Sequence, residues 1–136
     1  MTSEISSGAS VRILTEENDI DFISDSLNVR PTAVHLKGEL RSERNPQSSK
    51  FEQSLWIYDS SLPDSSTLSE HITHIVNLLE LKQGALDKIR ARITTMDIFC
   101  MFSSEHGQGS AELDADILRR LADLRLNLII DLYPPN

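Results

Sequence analysis

The stretch RITTMDIFCMFSS, residues 92–104, limits the fold more than any other part of the chain. From Ile98 to Phe102 every side chain is apolar. Successive residues of a strand point to opposite faces, so such a run has no polar side to give to water. It suits a central strand, apolar on both faces and flanked by other strands.

Those neighbours are legible. SVRILTE (10–16) alternates, with Val11 and Ile13 on one side and Arg12 and Leu14 on the other. FEQSLWIYDS (51–60) concentrates Leu55, Trp56, Ile57 and Tyr58, a strong strand signal. TAVHLKG (32–38) predicts a short strand, Ala33 and His35 on one face, Val34 and Leu36 on the other, ended by Gly38. LNLIIDLY (126–133) predicts a last strand with Leu126, Leu128, Ile130 and Leu132 on one face, stopped by Pro134 and Pro135. Trp56, Ile98 and Leu128 are the expected interior residues of one sheet.

Helices fall between the strands. Ile20, Ile23 and Leu27 mark one face of a short helix, with Asn18 or Asp19 as N-cap. It ends before Pro31, because a residue preceding proline avoids the α region. Thr67 and Glu70 have capping-box spacing and open a helix with the stripe Leu68, Ile72, Ile75, Val76 and Leu79. Gly84 is expected to break or bend it, and ALDKIRAR to add a second short helical segment. Asp114 caps a helix with Ile117, Leu121 and Leu124 inward, and Leu113 and Leu118 are spaced as a hydrophobic staple. ELRSERNPQSSK (39–50) and EHGQGS (105–110) read as loops.

The order predicts a single α+β domain over 10–136, preceded by a flexible segment 1–9. Its core is a sheet of about five strands, mostly antiparallel or mixed, with three main helices on one face. A chain of 136 residues suits one such domain.

The formal net charge is −8, from 21 acidic against 13 basic residues. A nucleic-acid binder needs a basic face to neutralise phosphates, so that class is disfavoured. The single cysteine, Cys100, excludes an intrachain disulfide. No apolar run approaches the roughly 20 residues of a membrane helix, and no secretory signal is evident at the start. A cytoplasmic protein is the expectation.

Catalytic patterns are weak. His71 and His74 lie three apart, but their helical phases diverge and no cysteine joins them, so both read as a solvated helix flank rather than a metal site. Cys100 sits between Phe99 and Met101, where nothing would lower its pKa. GQG at 107–109 lacks the lysine of a phosphate loop. No Gly-x-Ser-x-Gly elbow is present. Lys37, Arg41, Arg44 and Lys50 form a basic loop diluted by Glu39 and Glu43. No catalytic residue, metal or cofactor is expected.

Three segments together resemble a bacterial family of unknown function, domain-of-unknown-function family 4279. They are SLNVRPTAVHLKGE, the strand SLWIY after a variable loop, and LDADILRRLADLRLNLIIDLY. The similarity spans most of residues 10–133. LKQGALDK departs from it, lacking a proline found there in many relatives. The resemblance implies a small α+β domain and no reaction. In it, Pro31 and Gly38 are punctuation of a shared backbone.

Small size, acidity and the lack of catalytic motifs point to a non-enzymatic protein-binding domain. The leading expectation is an immunity-type protein that neutralises a cationic toxin domain, such as a nuclease, with carboxylates mimicking phosphate. Two candidate surfaces follow: Glu16, Glu17, Asp19, Asp21 and Asp25, or Glu105, Glu112, Asp114 and Asp116. The alternative is a housekeeping domain that self-associates through a sheet edge or face.

Overall fold

A computed structural model of the chain describes residues 5–93 and 95–133. Among them the elements run β1 (Ile5–Thr15), α1 (Ile20–Leu27), β2 (Ala33–His35), β3 (Ser54–Asp59), α2 (Leu68–Glu80), α3 (Gln83–Arg90), β4 (Thr95–Ser104), α4 (Ala115–Asp123) and β5 (Asn127–Tyr133). The strands form one sheet in the order β2-β3-β1-β4-β5. β1 is its axis, antiparallel to β3 along one edge and to β4 along the other. β5 runs parallel to β4, since a parallel neighbour requires a crossover and α4 supplies it. The chain is thus a single α+β domain with a mixed, mostly antiparallel sheet.

One side of the sheet carries the core. Ser7, Ala9, Val11, Ile13 and Thr15 of β1 are buried there, in register with Trp56, Met96, Ile98 and Cys100. The helices add Ile20, Ile23 and Leu27 from α1, Ile72, Ile75, Val76 and Leu79 from α2, Leu86 and Ile89 from α3, and Ile117 and Leu121 from α4. Trp56 is 1% exposed, and its indole Nε1 donates to Ser24 Oγ at 3.0 Å, fixing α1 on β3.

Caps set the helix ends. Thr67 and Glu70 form the reciprocal capping box on α2, and the Asp114 carboxylate accepts from the Ile117 N–H to cap α4. α1 stops at Asn28 in the left-handed region, φ 53°, three residues before Pro31.

Several expectations are corrected. Residues 5–9 of the expected flexible segment 1–9 are the first half of β1, paired with Cys100–Ser104 of β4; residues 1–4 lie outside the described residues. The Ser- and Gly-rich composition of residues 5–9 reads as loop, yet they pair as strand. The Ser7 N–H donates to the Asp64 carbonyl and its hydroxyl to the Ser66 carbonyl, so the edge that β3 does not reach is satisfied. The helical layer holds four helices among the described residues: the three main helices expected, and α3 at the short segment expected from ALDKIRAR. The break after α2 falls at Leu81–Lys82, and Gly84 lies inside α3. Asp19 occupies the N-cap of α1 without a side-chain cap bond, because its carboxylate accepts from the Thr15 hydroxyl and faces Arg92. Leu113 packs on the core, but Leu118 is exposed, so the staple does not close. Pro134 and Pro135 lie outside the described residues.

Candidate functional site

The second side of the sheet is built by the alternate residues of the same strands. Register places Ser6, Gly8, Ser10, Arg12 and Leu14 of β1 beside Leu55, Ile57 and Asp59 of β3. Beyond β1 stand Thr95, Asp97, Phe99, Met101 and Ser103 of β4, then Asn127, Ile129, Asp131 and Tyr133 of β5. None of the described helices covers this face. Leu14, Leu55, Ile57, Phe99 and Met101 are half-buried by their neighbours alone, and Ile129 is exposed.

The centre of this open face is polar and tightly joined. Arg12 and Asp97 are directly paired across β1 and β4. Nε donates to Oδ1 and Nη2 to Oδ2, both at 2.9 Å, a bidentate fork. The same guanidinium lies 4.3 Å from the ring centroid of Phe99, a cation–π contact. At the β2 end, Phe51 stacks on His35 with centroids 4.6 Å apart, and Arg41 lies over Phe51. The charges across the face are Arg12 and Arg41 against Asp59, Asp97 and Asp131, one carboxylate in excess.

The acidic residues singled out from sequence do not converge. Leu14 pairs with Thr95 and Ile5 with Ser104, so the 16–25 group and the 105–116 group sit at opposite ends of the sheet. Several are already engaged. Glu16 faces Lys37 and accepts from Gln53, and Asp19 is tied to Thr15 and Arg92. Asp114 is a cap, and Asp116 faces Arg119 and Arg120. Glu17, Asp21, Asp25, Glu105 and Glu112 are exposed.

His74 is exposed, as its phase indicates, but His71 is 1% exposed and not part of a solvated flank. Its Nδ1 lies 2.6 Å from Ser60 Oγ, and its Nε2 has no hydrogen-bond partner among the described residues. A catalytic serine–histidine pair needs access and a third group to orient the imidazole. Ser60 is itself 2% exposed, so this pair knits α2 to the end of β3 within the core. Cys100 is fully buried, and desolvation pushes its thiol up to about 12, with the Asp97 charge adding to the effect. Among the described residues, no three His, Cys, Asp or Glu side chains gather as a metal site.

A cleft of about 470 Å³ opens between the starts of α2 and α4, lined by Ser7, Ser65, Ser66, Thr67 and Ser69 and bordered by Phe102 and Glu112. Its helix termini are already occupied by Glu70 and Asp114.

Sequence reasoning missed the Arg12–Asp97 fork. Its signal was an aspartate one position before an otherwise apolar run and an arginine inside an alternating strand.

These features define a small α+β domain with one helix-covered and one bare sheet face. The chain belongs to the family described as "Domain of unknown function (DUF4279)", whose model matches residues 3–135, nearly its whole length. Neither a curated protein nor a solved structure matches it.

Proposed function

We propose that this protein is a non-enzymatic binding domain that docks another protein on the open face of its sheet. One observation carries the reading: among the described residues no helix covers the side of the sheet on which Phe99, Met101 and Ile129 stand beside the Arg12–Asp97 pair. Apolar side chains left uncovered beside polar ones give the mixed surface character of protein–protein sites. The excess of carboxylates on that face and the overall charge of −8 favour a cationic partner, attracted by long-range steering. An immunity-type role, neutralising a cytoplasmic toxin domain such as a basic nuclease, fits that chemistry.

The test is capture from native-host lysate with wild-type and Met101→Lys baits of equal stability. One cationic protein, retained by wild type and lost with the variant, supports the reading. Co-expression that relieves that protein's toxicity supports the immunity role. Equal capture by both baits, or no capture, overturns the docking face.

A further inference from the structure

The two edges of the sheet are protected very differently. β2 offers three residues, and the chain around it is fastened by the Leu40–Lys50 bridge and the stack of His35 on Phe51. β5 offers seven residues without a Lys, Arg or Pro, in unbroken register with β4. Short strands, charges, prolines and bulges are the usual means of blunting an edge, and β5 has one charged residue, Asp131. Moreover α4 packs on α2 and leaves the far part of β5 uncovered: Ile130 is 46% and Leu132 73% exposed, although both face the helical side.

We propose that two copies of this chain join by antiparallel pairing of their β5 strands about a twofold axis at Ile130. The pattern of β5 specifies the second copy as occupant. A twofold axis perpendicular to the sheet keeps the helices of both copies on one side, and it requires one residue to face its own copy. Full overlap of Asn127–Tyr133 places that residue at Ile130. Leu128 then opposes Leu132, and Ile130 opposes Ile130, so the exposed row Leu-x-Ile-x-Leu is its own complement. On the other face Asp131 opposes Ile129, so the two Asp131 carboxylates are not directly paired. Self-complementarity of this kind is what an isologous interface needs. The pairing also supplies partners for the unpaired backbone groups of both edges.

This inference stands apart from the open-face reading and is tested on purified protein alone. Sedimentation equilibrium at high micromolar concentration is expected to give twice the monomer mass for wild type and the monomer mass for Ile130→Lys/Leu132→Lys. Both positions are solvent-exposed in the single copy, and circular dichroism checks that the variant is folded. A second measurement does not depend on disrupting the strand. In a Cys100→Ala background, Ile130→Cys is expected to cross-link between copies with a short bifunctional thiol reagent, because directly opposed Cβ atoms lie about 4.5–5.5 Å apart. Asp123→Cys on α4 is expected not to. A monomeric wild type, or a dimer unaffected by the lysines with no cross-link at position 130, overturns the proposal.

Discussion

Arg12 and Asp97 face each other across β1 and β4, two 2.9 Å contacts joining a guanidinium to a carboxylate in the middle of the open sheet face. The Asp97 side chain is 8% exposed and that of Arg12 25%, so the pair is partly desolvated before any partner arrives. Removing one partner of a buried pair strands the other charge, at about 3–5 kcal/mol when burial is complete. With Arg12 a quarter exposed, Asp97→Ala is expected to cost less, about 1–3 kcal/mol by urea unfolding. Arg12→Met/Asp97→Leu should recover much of the loss, and a double variant as unstable as the sum of the singles would show the two residues to be independent.

Trp56 ties the sheet to α1. Trp56→Ala is expected to cost about 3–5 kcal/mol, and Ser24→Ala about 1 kcal/mol through loss of the indole hydrogen bond. Because Trp56 is the sole tryptophan, its fluorescence reports both. Blue-shifted native emission that moves red on unfolding is expected; native emission already like free tryptophan contradicts its burial.

Much of this architecture was readable in advance because it rests on local pattern. The stripes Ile20–Ile23–Leu27 and Ile72–Ile75–Val76–Leu79, the Thr67–Glu70 box and the Asp114 cap all lie where spacing placed them. Trp56 and Ile98 are core residues, while Leu128 is only partly buried. What failed depends on tertiary context. The serines of β1 are strand residues because Asp64 and Ser66 meet them from a distant loop. His71 is interior because Ser60 accompanies it. The apolar run Ile98–Phe102 marks an interior strand of the sheet, but periodicity does not reveal whether a second layer covers its other face. The two acidic groups are alternative surfaces by sequence, and the antiparallel register sets them at opposite ends of the sheet.

Cys100 makes stability sensitive to alkali. Its folded pKa is raised from 9.0 to about 12, so the folded state holds the thiol proton more tightly than the unfolded chain. Linkage then gives a contribution fully present below pH 9 and lost as pH rises towards 12. Cys100→Ala is expected to flatten the alkaline decline relative to wild type in thermal melts across that range. Native Cys100 is also expected to react with thiol reagents only after unfolding; rapid labelling of the native protein contradicts its burial.

Two carboxylates act in the opposite direction. Hydrogen bonds from the Thr67 backbone lower the pKa of Glu70, and the Arg120 guanidinium lowers that of Glu80, each from an ordinary 4.5. Their contributions are present above 4.5 and are lost as pH falls through the lower folded values. Both are well solvated, so the effect is small. Glu80→Gln is expected to weaken the acid dependence of the melting temperature, and an unchanged profile would mean that the Arg120 contact is not maintained in solution.

The open face itself is best tested by site-specific photo-crosslinking in the native host. A photoreactive residue is placed in turn at Ile57 and Met101 on the bare side of the sheet, and at Asp25 and Ala122 on the exposed helical side. Adducts with one discrete cationic protein from Ile57 and Met101, and none with it from Asp25 or Ala122, are the expected result. Adducts only from the helical positions, or from no position, would contradict a docking role for the face that surrounds Arg12 and Asp97.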